Sequence, residues 1–151
     1  MRAIVLTVRR CTSVQFVDTN VLLYAISTEP AEAEKARVAV EILSRAELGL
    51  STQVLQEFYV QATRATRSAR LSHEQATDLV EAFTRFTVQP VTVEIVRAAL
   101  NLRGRHSLSY WDAAIIEAAR TLRCTEILSE DLSADENYDG LRVINPFTTR
   151  D

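Results

Sequence analysis

The sequence predicts an α/β domain, with a central, largely parallel sheet of four to five short strands covered by helices in three layers. Three observations point to it. Apolar runs at 14–17, 87–91, 126–129 and 141–144 alternate with longer amphipathic segments, the pattern of β–α–β units. Hydrophobic residues make up 47% of the 151, enough for one well-buried core. Gly and Pro number only three each, which suits helices joined by short connections better than a β-sandwich.

In chain order, 14–17 reads as a buried strand running into Asp18-Thr19-Asn20. Val21 to Ile26 continues apolar, as the first turns of a short helix. Pro30 suits the first position of the next helix, where its missing N–H costs nothing. That helix covers Ala31 to about Leu48, with Val38, Ile42 and Leu43 as its apolar stripe and Gly49 as its end. Residues 49–51 form a short strand or turn. Ser51 or Thr52 caps a helix from about Gln53 to Ala65. Ser72 and Gln75 have capping-box spacing ahead of Leu79, Val80 and Phe83. Residues 87–91 form a strand, and Thr92 caps a helix ending at Gly104. Ser109 caps the helix Tyr110 to Leu122. Residues 126–129 form a strand leading to Asp131, and 141–144 a last strand stopped by Asn145-Pro146.

The net charge of −3 gives no global field favouring nucleic acid, so any such binding needs a local basic patch. Basic residues are sixteen Arg and one Lys, Lys35. That ratio is read mainly as the composition of a GC-rich genome, although the guanidinium fork also suits phosphate. Cys11 and Cys124 have no metal-ligand spacing and read as free thiols of a reducing cytosol, so a cytoplasmic location is expected. No apolar run approaches the ~20 residues that span a membrane. Arg9 and Arg10 follow the first apolar stretch, whereas a signal peptide has its charges before it.

Acidic residues at strand ends carry the chemistry. Functional groups of open parallel sheets gather at the carboxyl ends of strands. Asp18 follows the first strand and Asp131 the fourth. Asp112 shares a helical face with Ile115, Ile116 and Ala119, a costly place for a charge unless something compensates it. An acid in a first helical turn is also favoured by the helix dipole, and a functional role is weighed ahead of that. Glu57 falls outside the apolar arc Val54, Leu55, Phe58, Tyr59 and Ala62, and taken alone reads as a solvated helix acid. Asp18 alone reads equally as a turn residue. Asp131 has acidic neighbours, and Asp135 is the alternative fourth acid. Converging carboxylates repel unless a cation neutralises them. Hard oxygen donors select Mg²⁺ or Mn²⁺, one ion or two. A metal-activated water would then hydrolyse a phosphodiester without a covalent enzyme intermediate.

The string FVDTNVLLYAIS, Phe16 to Ser27, resembles the opening motif of PIN domains. SYWDAAIIEAA, Ser109 to Ala119, and ILSEDLS, Ile127 to Ser133, resemble their later acidic motifs. YDGLRVINPF, Tyr138 to Phe147, resembles the closing segment of VapC-type toxins. The resemblance covers 14–147. It implies that Asp18, Glu57, Asp112 and Asp131 are catalytic and metal-holding, with Asn20 and Ser129 as polar supports. The Glu57 match rests on the weaker string TQVLQEFY. The resemblance further implies a Mg²⁺- or Mn²⁺-dependent endoribonuclease, a homodimer, held inactive by a cognate antitoxin. Relatives commonly begin a few residues before the first strand. Residues 1–13 are therefore set apart as an N-terminal extension of open origin, a start at Val14 being one reading.

Arg64, Arg67 and Arg70 recur every three residues and are candidates for an RNA phosphate path, a solvated connection, or antitoxin or dimer contacts. Tyr24, Phe58 and Tyr59 are placed in a dimer face or the core, Trp111 is read as a packing residue, and His73 and His106 have no ligand spacing. A haloacid-dehalogenase-type phosphatase needs a second Asp where Asn20 stands. A receiver domain needs a late Lys, which this chain lacks. An RNA-processing nuclease, a structure-specific DNA nuclease, or a catalytically silent protein-binding module are the readings that stay beside the toxin.

Overall fold

Strand β1, Gln15–Val17, lies near the middle of a six-stranded sheet in the computed structural model, which describes residues 15–148 apart from 46, 134 and 135. The Met1–Ser13 extension, Val14, Cys11 and Asp135 lie outside the described residues. The other strands are β2 (Leu48–Ser51), β3 (Thr87–Gln89), β4 (Glu126–Leu128), β5 (Asn137–Tyr138) and β6 (Leu141–Ile144), in the spatial order β3-β2-β1-β4-β6-β5. All pairings are parallel except β5 with β6. Five of the six strands are those expected. The sixth, β5, belongs to a hairpin whose two-residue turn is Asp139-Gly140, both at positive φ (53° and 94°). An Asp-Gly pair is the standard signal for that turn, because its backbone twist matches that of the flanking strands.

Among the described residues, seven α-helical or 3₁₀ segments flank the sheet. They are α1 (Thr19–Ala25), a 3₁₀ turn (Pro30–Glu32), α2 (Ala33–Leu43), α3 (Thr52–Ala62), α4 (His73–Phe83), α5 (Val93–Arg105) and α6 (Tyr110–Thr121). α6 packs against β2, β3, β4 and β6 and carries α5 on its other side, while α1 packs on α2 and α3. Phe16, Phe58, Leu50, Ile116 and Ile127 are fully buried between these layers. Truncating such a side chain to Ala costs about 3–5 kcal/mol for Phe and about 2–5 for Leu or Ile.

Local signals are met where side chains close the helix ends. Ser72 and Gln75 form a full capping box, and Thr92 and Ser109 cap α5 and α6. Helix boundaries move where pairing wins over propensity. α2 stops at Leu43, because Leu48 and Gly49 are claimed by pairing with Gln15 and Phe16 of β1. Gly49 therefore sits in a strand and does not end a helix. Gly104 is likewise inside α5, which runs one residue further. α6 ends in a Schellman arrangement, with Cys124 N–H donating to Ala119 O (3.0 Å) and Arg123 N–H to Arg120 O (2.9 Å). Arg123 occupies the left-handed position there (φ 59°). No described helix is long and apolar enough to cross a membrane.

Candidate metal centre

From β1 the chain crosses to β2 on one side, while β4 pairs on the other, so the direction of winding reverses at β1. Such a switch point opens a crevice at the carboxyl ends of the strands. Register places the residues after β1 and β4 side by side, since Val17 pairs with Leu128 and Asp18 N–H donates to Leu128 O (3.1 Å). Asp18 and Ser129 are thus brought together by sheet pairing across 111 positions of chain.

Asp18 is nearly buried, at 7% exposure, and caps α1. Its Oδ1 accepts the Thr19 N–H (2.8 Å) and its Oδ2 accepts the Ser129 hydroxyl (2.7 Å). Burial pushes its carboxyl up to about 6, against those two hydrogen bonds, with the charges of Glu57 and Asp131 adding to the rise. Ser129 Oγ also accepts the N–H groups of Asp131 and Leu132, both at 3.2 Å, which folds the loop after β4 around it. The Asn20 amide donates to Ser129 Oγ (3.2 Å) and to Asp131 Oδ2 (3.2 Å), and its oxygen accepts the Glu130 N–H (3.2 Å). Asn20 and Ser129 therefore stand where the sequence expects polar supports.

The other two acids come from helices. Asp112, half-buried in the first turn of α6, has its carboxyl raised by burial, opposed by Ser109, with Asp131 and Glu57 raising it further. Its neighbours Ile115, Ile116 and Ala119 are buried, as its helical face requires. Glu57 is not solvated as its position on the helix wheel suggests. It is half-buried and turned toward Asp18, accepting the Thr19 hydroxyl at Oε2 (2.7 Å) and the Gln53 amide at Oε1 (2.9 Å). Gln53 is itself buried and also donates to Trp111 O (3.1 Å), tying α3 to the start of α6. Thr19 and Gln53 are supports that sequence reasoning missed. Gln53 lies four residues before Glu57, on the same helix face, and Thr19 sits between two residues already singled out.

The four expected acids thus lie near enough to feel one another's charge, Asp18 from the end of β1, Glu57 from α3, Asp112 from α6 and Asp131 from the loop after β4. Mutual repulsion registers on Asp18 and Asp112. Among the described residues none of the four forms an ion pair, and no three His, Cys, Asp or Glu are drawn together into a ready-made metal cage. The donor set fits a hard divalent cation that keeps part of its water shell. Asp131 is exposed at the rim. Beside it a cavity of about 210 Å³ is lined by Asn20, Tyr24, Gln61, Arg67 and Glu130 among others. Of the three candidate arginines only Arg67 lines this cavity, half-buried, with Nη2 donating to Leu23 O (3.4 Å), whereas Arg64 and Arg70 are exposed.

Phe58 is core, and Tyr24 and Tyr59 are half-buried. Trp111 is not a packing residue. It is 64% exposed and touches Tyr110 edge-on (5.1 Å), because the inward face of α6 begins at Ala113. Cys124 is free and buried, which pushes its thiol up to about 11 and leaves it inert.

Fold and crevice define a doubly wound α/β domain with an acidic cleft at its switch point. The chain belongs to the PIN domain family, whose model matches residues 16–139. No curated protein sequence matches it. Among solved structures, a toxin–antitoxin complex from Klebsiella pneumoniae is 22% identical with a TM-score of 0.67, over 91% of this chain and 100% of that one. VapC20 of Mycobacterium tuberculosis, described as a sarcin-ricin loop cleaving toxin, is 18% identical with a TM-score of 0.60, over 78% and 89%. DNA-bound VapBC from Salmonella typhimurium is 20% identical with a TM-score of 0.60, over 86% and 96%. At such identities the likeness establishes the shared fold.

Proposed function

We propose that the chain is a divalent-metal-dependent endoribonuclease, the toxin of a toxin–antitoxin pair. The observation that carries this reading is the meeting of Asp18, Glu57, Asp112 and Asp131, from four separate elements, without an ion-pair partner among the described residues for any of them. Uncompensated carboxylates in a crevice are costly, and a bound cation is what repays them. Mg²⁺ or Mn²⁺ held by these acids would supply Lewis acidity toward a phosphodiester and an activated water.

The chain's own residues do the rest. Ser129 and the Thr19 N–H orient both oxygens of Asp18. Thr19 and Gln53 orient Glu57, and Asn20 holds Asp131. Among the described residues no Cys or His stands beside the acids, and the Ser129 hydroxyl is committed to Asp18 and to the loop after β4, which favours direct attack by water over a covalent intermediate. Arg67 supplies a cationic wall beside Asp131, suited to a phosphate of an RNA strand. The solved structures named above include toxin–antitoxin complexes and a sarcin-ricin loop cleaving toxin, which supports a cognate antitoxin as partner; a homodimer as the active form and a cytoplasmic place belong to the same proposal. The test is Mn²⁺-dependent cleavage of structured RNA by wild type, Asp18→Asn and Asp112→Asn, with a DNA strand of equal length beside it. Each variant should lose at least about 100-fold, because even outer supports of metal sites cost about 10–100-fold when removed. Equal activity in all three would mean a contaminant, and cleavage of DNA alone would replace the substrate.

A further inference from the structure

Asp131 is the least supported of the four acids. It is exposed, and its carboxylate accepts one hydrogen bond, from Asn20. Its place therefore depends on the loop that carries it. Ser129 pins that loop from within. Its other side is pinned by Glu130, which lines the cavity beside Asp131 and uses both side-chain oxygens. Oε2 accepts the Tyr24 hydroxyl from α1, and Oε1 accepts the Lys35 ammonium from α2. Lys35 Nζ also reaches the Tyr24 hydroxyl (3.3 Å) and lies 4.9 Å from the centre of that ring. Phe147 packs edge-on against the ring (4.8 Å), so Tyr24 is itself held. Glu130 is thus fastened at its side chain by two helices and at its backbone N–H by Asn20, directly next to Asp131.

Lys35 is the sole lysine of the chain, and this is where it is used. A single exposed ion pair contributes little. Here one carboxylate joins two helices and the loop between β4 and β5, in a partly desolvated cluster with side chains 37% and 26% exposed. Paired with Lys35, Glu130 also adds no uncompensated charge beside Asp131. We infer that Lys35, Tyr24 and Glu130 form a latch that positions Asp131 and so sets the affinity of the crevice for a divalent cation. The inference rests on the acids being a metal site, as proposed above. These are positioning residues, since none of them belongs to the four acids.

The experiment measures Mn²⁺ binding to the full chain from the paramagnetic resonance of the free ion. Amide hydrogen exchange at Glu130 and Asp131 is followed in parallel. Lys35→Met should weaken Mn²⁺ binding about tenfold, in the range for lost outer supports. It should also speed exchange at both amides while α6 stays protected. Tyr24→Phe should do the same to a smaller degree, and Lys35→Arg should restore most of the affinity. Unchanged Mn²⁺ affinity in Lys35→Met, with Asp18→Asn abolishing binding, would overturn the latch alone. Affinity lost together with protection throughout α6 would also overturn it, as general destabilisation. Equal weak binding by wild type and Asp18→Asn would overturn the metal reading, and the latch with it.

Discussion

Replacing Asp18 by Asn should make the metal-free protein more stable, although Asp18 is the acid most deeply built into the site. Its carboxyl, ordinarily at 3.8, is pushed up to about 6, first by burial and then by Glu57 and Asp131, against the bonds from Ser129 and Thr19. At about 1.4 kcal/mol per pH unit, holding it ionised costs the folded state about 3 kcal/mol. Asn removes that charge but turns one acceptor into a donor opposite the Ser129 hydroxyl, giving back about 1 kcal/mol. The net gain is about 2 kcal/mol, or about 4–8 °C in Tm for a domain of this size. The sign follows from proton binding. Asp18 holds its proton more tightly folded than unfolded, so its favourable contribution is whole below 3.8, falls as pH rises, and is gone above about 6. The advantage of Asn should therefore grow from about pH 4 to pH 6 and stay level above. Urea unfolding with a chelator, repeated across that range, reads it directly. An Asn variant no more stable than wild type above pH 6, or a gap that ignores pH, would refute the reasoning. Added Mg²⁺ should reverse the order, because only the folded wild type gains the full site.

Three further changes probe other parts of the argument. Ser129→Ala leaves the N–H groups of Asp131 and Leu132 without their acceptor and should destabilise by about 2–3 kcal/mol in urea unfolding, the cost of orphaned buried polar groups. A loss below about 0.5 kcal/mol would mean the loop re-pairs. Arg67→Ala should reduce the slope of log RNA affinity against log salt by about 0.7, whereas Arg64→Ala and Arg70→Ala should leave it unchanged; three equal slopes would remove the phosphate role of Arg67. Arg123→Gly relieves a left-handed residue at the end of α6 and should stabilise by about 0.5–1 kcal/mol, read as a rise in Tm.

Much of the fold is legible locally. β1 and β4 are short apolar runs ending in polar residues, and the caps Ser72, Thr92 and Ser109 announce their helices by side-chain chemistry within three residues. Asp18 and Asp112 were likewise readable, one from the end of a strand and the other from a charge on an apolar face. Glu57 was not. A helix wheel reports the face turned to the core, and a crevice at a helix flank looks on that wheel like solvent. Trp111 failed for the converse reason, since aromatic size favours burial on average while the inward face of α6 starts two residues later. The β5–β6 turn carries its signal in Asp139-Gly140, inside the closing segment Tyr138 to Phe147.

The sequence by itself determined the chemistry on offer: oxygen donors at strand ends and helix starts, and an alternation of strands and helices that makes a parallel sheet. These depend on interactions spanning a few residues, which propensity and periodicity record. Only the tertiary structure decided that the four acids meet, that Glu57 turns inward to Thr19 and Gln53, and that Lys35 reaches Glu130 across 95 positions of chain. Such contacts follow from the order of strands in the sheet and the register between them, and no local stretch of sequence encodes either.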